Sequence, residues 1–294
     1  MHFRCRVVAL GVALCFGVAA VACRAGGALV LNELVEARSL TAEIRADFLK
    51  ANDKSGEAVM ADTDEHSIAA AHEAQDAHGR IAAHVERLRT VLTALSYSNE
   101  TRLLDVFTQR YSDYKTLDDT ILELAIENSN IKAQRLLFGP QAEAVQAIRA
   151  ALDAAVAQVP ARSADRARSL SAGALAGLFE IQAIEARHIA ESDEGKMTEM
   201  ETRMTALKAG VLRDIAGLRA LVPSAAAGAL DPVDEGIRAF EAARDELIPM
   251  SRRNTNVRSL ALTLGRKRTL AAQCEDALTA LSDSLSKHQL TGTR

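Results

Sequence analysis

The chain has 294 residues, a formal net charge of −4, 48% hydrophobic and 25% charged residues, so a disordered tail is excluded and nothing suggests a nucleic-acid partner. Ten aromatic residues, no Trp, five Pro, 16 Gly and 56 Ala exclude most all-β folds, collagen-like repeats and disulfide scaffolds, and favour long helices. The length suits one large domain or two of about 130 residues.

The N-terminus opens on Arg4 and Arg6, followed by a charge-free apolar run from Val7 to Cys23; Arg24 interrupts it and Ala25 to Leu31 is apolar again. Residues 1–31 therefore read as a membrane anchor or signal segment. Ala20-Val21-Ala22 fits a small-x-small cleavage site, and Cys23 falls where a bacterial lipoprotein carries its lipid, so anchored, lipidated and secreted forms all stay open. In each, the basic flank remains in the cytoplasm and the body is exported, which predicts an inner-membrane anchor with the body in the periplasm. Beyond the leader Cys274 stands alone, which excludes an internal disulfide and any paired-cysteine metal or haem motif. No second long apolar run follows, so neither a C-terminal membrane helix nor a cytoplasmic domain is expected.

The body is duplicated. Asn128-Ser129-Asn130-Ile131-Lys132 aligns with Asn254-Thr255-Asn256-Val257-Arg258 at an offset of 126, and at that offset Leu136 meets Leu262 and Gly139 meets Gly265. Upstream, Met60 to Glu65 matches Ile189 to Glu194 at 129. Helical repeats over 32–160 and 161–290 follow.

Each repeat carries apolar stripes at helical spacing. Leu34, Ala37, Ile44 and Phe48 mark the first; Ala71, Ala74, His78, Ile81, Val85, Leu88, Leu92 and Leu95 form a heptad-like seam. Leu104, Phe107, Tyr111, Tyr114, Ile121 and Leu124 follow, then Val145, Ile148, Leu152, Ala155 and Val159. The second repeat runs through Leu170 to Ile189, the Met197–Met200–Met204 series, and Phe240 with Leu247 and Ile248. Leu260, Leu264, Ala271, Leu278, Leu281 and Leu285 close it. Helix breaks are expected at Asp62 to Asp64, at Ser192-Asp193, and at both Asn-x-Asn turns, where Asn128, Asn130, Asn254 and Asn256 can end one helix and cap the next. Kinks are predicted at Gly139-Pro140 and Pro249.

Two features carry a family resemblance: the apolar-Ala-acid-Ser/Thr-Asp stretch closing the first helix (Met60 to Asp64, Ile189 to Asp193), and the Asn-x-Asn turn before a Leu-x-x-Gly helix. With them, each repeat resembles the four-helix-bundle sensory module of bacterial methyl-accepting chemotaxis receptors. The resemblance implies an all-α fold of long antiparallel helices, arranged as two tandem up-down bundles, often dimeric, that sense small ligands or binding proteins. The chain departs from that family in lacking a second membrane helix and the methylated cytoplasmic coiled coil. Periodicity does not distinguish two separate bundles from two modules that share long helices.

His66, His72, His78 and His84 recur every six residues, a spacing that turns successive side chains by 240° and so suits no metal. No nucleophile elbow, phosphate loop or zincin motif appears, so neither an enzyme nor a cofactor is expected. The Met197–Met204 stripe reads as core. The most suggestive cluster is basic: Arg252, Arg253, Arg258, Arg266, Lys267 and Arg268, with no acid between them. Arg258 opens a helix, where the macrodipole disfavours it, so a nearby anion would relieve the conflict. A ligand carboxylate at Arg252, Arg253 and Arg258 is one candidate, and a Glu or Asp from a neighbouring helix is the other. The leading expectation is thus an exported sensory or ligand-binding module without its own output domain, taking a small anionic ligand or a periplasmic binding protein and forming a homodimer. The competing one is a structural or adaptor bundle of the envelope.

Overall fold

The computed structural model describes residues 30–288 with their side chains, and the backbone of the first helix from Val7. The leader expected over 1–31, with Cys23, lies outside the described side chains except for its last two residues. Among the described residues no helix is long and apolar enough to cross a membrane.

The fold is all-α, with no strand among the described residues. Helix α1 (Val7–Met60) leads to α2 (Asp64–Ala94) and α3 (Ser98–Glu127). After Asn128 come α4 (Ser129–Leu136), a π turn (Leu137–Gln141) and α5 (Ala142–Ala157). Helices α6 (Ala164–Ala190), α7 (Glu194–Arg219) and α8 (Asp231–Arg253) follow. After Asn254 the chain repeats the pattern with α9 (Thr255–Leu262), a second π turn (Thr263–Lys267) and α10 (Arg268–Lys287). One expected cap forms on its own helix: Asp193 accepts from the Lys196 amide at 3.0 Å and starts α7, whereas Asn128, before α4, makes no such bond.

The chain divides into two units. The first holds residues up to 60, 66–122 and from 262 onward; the second holds 61–65 and 123–261. In the first, α1, α2, α3 and α10 share one core through Ile44, Phe48, Ile81, Leu88, Leu104, Phe107, Leu278 and Leu281. Its centre is aromatic: Phe48 meets Tyr114 at 4.9 Å and Tyr111 edge-on at 6.4 Å. In the second, α5, α6, α7 and α8 share a core built on Ile148, Leu152, Leu178, Ile181, Met204, Ile215 and Phe240. Close helix approach replaces aromatic bulk here. A Cβ on Gly236 would lie 2.5 Å from Ile148 Cγ1, and one on Gly177 2.6 Å from Val211 Cγ2. Met197 and Met204 are buried, as the stripe predicted.

The units do not follow the repeat boundary at 160. Repeat one's last helix, α5, completes the core of the second unit, and repeat two's last helix, α10, completes that of the first. The modules therefore share the chain by exchanging their fourth helices.

Both π turns sit at the same place in the repeat, 126 residues apart. The first contains Pro140, whose missing N–H such a turn tolerates; the second contains no proline, so the turn belongs to the repeat and not to Pro140. Helix α8 runs on through Pro249 to Arg253. The extra residue of a π turn shifts the helix register, which corrects the expected closing stripe. Leu264 is 60% exposed and Leu260 36% exposed, while Lys267 is buried. Phe138, the repeat partner of Leu264, is exposed for the same reason.

Candidate functional site

The second unit pairs the two Asn-x-Asn turns with each other. Asn128 and Asn254 both take left-handed backbone angles (φ 50° and 54°), the conformation asparagine tolerates better than most residues. Each break leaves helix-initial amides without partners, and each turn supplies the other's caps. The Ser129 amide donates to Thr255 Oγ1 at 3.0 Å, and the Thr255 amide to Ser129 Oγ at 3.1 Å. The Asn130 amide donates to Asn256 Oδ1 at 3.2 Å, and the Asn256 amide to Asn130 Oδ1 at 3.1 Å. Asn130 Nδ2 also donates to Asn254 Oδ1, and Asn256 Nδ2 to Asn128 Oδ1, both at 2.8 Å. Of the four asparagines expected to cap their own helices, Asn130 and Asn256 cap across the duplication together with Ser129 and Thr255, while Asn128 and Asn254 accept from the side-chain amides of Asn256 and Asn130. Expected as a local signal, they form a long-range one.

The candidate ligand-binding arginines are drawn into ion pairs nearby. Arg252 donates to Glu201 Oε1 at 2.7 Å and Arg253 to Glu127 Oε1 at 2.6 Å. Glu127 and Arg253 occupy equivalent repeat positions, so an opposite-sign substitution made the pair. Glu201 also holds His188 Nε2 at 3.0 Å, whose Nδ1 lies 2.7 Å from Ser251 Oγ. Burial lowers the pKa of His188 despite Glu201. Arg258 is exposed and lines an open pocket of about 430 Å³ with Arg252 and Arg253. The carboxylates of neighbouring helices, the plainer of the two candidates, hold two of the three arginines.

In the first unit the rest of the basic run meets a buried centre. Lys267, at the end of the second π turn, places Nζ 2.7 Å from Asp118 Oδ1. Both side chains are buried. Asp118 also accepts from Ser55 Oγ at 2.6 Å and lies 2.9 Å from His78 Nε2. His78 Nδ1 lies 2.7 Å from the Tyr111 hydroxyl. Burial, and then the charge of Asp118, push the Tyr111 pKa well up, so the hydroxyl keeps its proton and donates to Nδ1. Burial alone would raise the pKa of Asp118; the bond from His78 and the Lys267 charge hold it below the ordinary carboxylate range. Burial lowers that of Lys267, against the pull of Asp118. Of the four histidines at six-residue spacing only His78 is in the core, and His66 and His72 are exposed. Among the described residues no three His, Cys, Asp or Glu side chains gather as a metal site.

Over this centre lies an open groove of about 690 Å³. Asp53, Glu57 and Met60 of α1 form one wall, and Leu264 and Arg268 the other, with Lys267 also lining it. Asp53 and Arg268 are exposed and make no ion pair among the described residues. Met60 is 71% exposed beside Leu264, so the groove carries unpaired charges of both signs and an apolar patch.

Sequence reasoning missed this site because Lys267 read only as one cation of the basic run. The available signal was its spacing of seven from Cys274, a residue of the buried seam.

The second unit has its own buried polar centre at the first π turn. Glu185 of α6 is fully buried, with Arg244 Nε of α8 3.3 Å from its Oε1. Gln141, ending the first π turn at the position equivalent to Lys267, is also buried. Both Glu185 oxygens, both Gln141 amide atoms and Arg244 Nε lack a hydrogen bond of good geometry. Burial pushes the Glu185 pKa up to about 7.

These features define the class as a duplicated, all-α, bundle-like protein with a buried ionic centre in each unit. No family model and no curated protein matches the chain.

Proposed function

We propose that the chain is an exported, membrane-anchored sensory module that binds a small carboxylate-bearing ligand and transmits its arrival through helix displacement. The observation that carries this reading is the open groove directly over Asp118–Lys267. Unpaired charges there can take a ligand, and the floor connects to four helices through His78, Ser55 and Tyr111. Arg268 suits the carboxylate, Asp53 suits an ammonium, and Met60 and Leu264 suit an apolar side chain. An amino acid meets all three requirements. The resemblance to chemoreceptor sensory bundles rests on the duplicated Asn-x-Asn turns before Leu-x-x-Gly.

A second copy of the chain is the proposed partner. Val35, Ala42 and Leu49 follow one another at seven-residue spacing on the exposed face of α1, the pattern of a helix–helix seam.

Calorimetric titration with amino acids and small mono- and dicarboxylates tests the ligand reading. At least one should bind, and Arg268→Ala should weaken it about tenfold, the loss of one charge-assisted bond. Failure of every compound to bind or to shift the thermal midpoint would reject sensing by this groove. Light scattering of the wild type against Leu49→Glu tests the dimer.

A further inference from the structure

The second unit's centre has a property that ligand sensing does not use. Glu185 on α6 carries two buried, unbonded acceptor oxygens, and the π turn packed against α6 carries Gln141, whose equally buried and unbonded amide offers either a donor or an acceptor, depending on which way it points. We propose that Glu185 and Gln141 form a proton-operated switch: the ionised carboxylate takes the Gln141 amide N–H and the Arg244 charge, whereas the protonated carboxyl donates to Gln141 Oε1, which turns the amide over and slackens the hold on Arg244. The proton comes from solvent and no covalent bond changes. Gln141 ends the first π turn, so each orientation of its amide fixes one arrangement of that turn against α6.

The charged groups around the site agree with this. From α8, Arg244 favours the ionised form and Glu241 opposes it. Lys208 of α7 bonds to Glu241 and reduces that opposition. On α6 itself, His188 sits one turn on, where burial keeps it neutral against the pull of Glu201. Burial of Glu185 outweighs Arg244, so the carboxyl titrates close to neutrality.

The test uses the full chain as wild type, Glu185→Gln and Gln141→Leu, over pH 5 to 9. Infrared difference spectra of wild type minus Glu185→Gln should show a protonated carboxyl appearing within about one pH unit of neutrality. Hydrogen exchange of the 137–141 peptide, corrected for intrinsic rates, should change with the same midpoint. In Glu185→Gln it should stay at the low-pH value. A carboxyl that titrates in the ordinary range, or π-turn exchange that ignores pH in the wild type, would overturn the switch. Should Glu185→Gln not fold, Gln141→Leu keeps the carboxyl and must still show the infrared titration while losing its link to exchange. Ligand binding in the first unit's groove is scored separately, so either result stands without the other.

Discussion

The two units place a polar residue at the same point of a duplicated π turn and obtain opposite electrostatics from it. In the first, Lys267 brings a full charge to Asp118, and His78 and Ser55 satisfy the remaining acceptor capacity. In the second, Gln141 brings only a dipole, and Glu185 stays under-bonded beside Arg244. Packing differs in parallel: stacked aromatics fill the first centre, while glycines bring helices together in the second. A buried carboxylate is thus held ionised where its partners are complete and pushed toward neutrality where they are not.

The largest test of that contrast is Lys267→Met. It strands Asp118 in the core and should cost about 3–5 kcal/mol, read by denaturation with exchange in α1 to α3. Arg244→Met should cost roughly 1 kcal/mol at pH 6, because Glu185 is mainly protonated there and leaves no full charge unpaired. Equal costs would break the comparison. Next comes Asn254→Ala, which puts a Cβ without a local hydrogen-bonding group into a left-handed turn and removes the bonds to Asn130 and the Glu191 carbonyl. About 2–4 kcal/mol should be lost in the second unit, with Asn254→Gly recovering the backbone share.

The pH dependence should then separate the units by sign. The Glu185 pKa is raised from its ordinary 4.5 to about 7, so its contribution is present below 4.5 and lost as pH rises through 7. The ceiling is about 3 kcal/mol. The Asp118 pKa is lowered from 3.8, so its contribution is present above that value and lost as pH falls through the still lower folded value. His188, also lowered, opposes Glu185 as pH falls below 6.5, so the wild type minus Glu185→Gln difference is the quantity to follow. Gly236→Ala should cost about 1–3 kcal/mol, since Ile148 must move to admit the methyl. The same change at Gly79, where nothing lies within 4 Å, should stabilise slightly. Smallest is Leu264→Ser, within about 0.5 kcal/mol for stability, because the π turn already exposes that leucine.

Much of this was legible beforehand. The seam from Ala71 to Leu92 is buried along its length, Asp193 caps α7, and the Asn-x-Asn turns fall between helices. The basic run was misleading because linear charge density says nothing about which cations face inward. Lys267 is a core residue, Arg268 one position later is exposed, and Arg252 and Arg253 find glutamates at sequence distances of 51 and 126. Leu260 and Leu264 were misplaced because a period of 3.6 assumes one hydrogen-bonding pattern throughout, and a π turn inserts a residue.

By itself the sequence determined that the chain is helical, that its body is duplicated, and where helices begin and end. Those properties depend on local propensity, capping and periodicity, which act within a few turns. Only the tertiary structure decided that α5 and α10 exchange cores, that the two asparagine turns cap each other, and which buried carboxylate stays charged. Each depends on groups of different helices, far apart in sequence, meeting in low dielectric. There one missing donor decides whether a carboxylate keeps its charge.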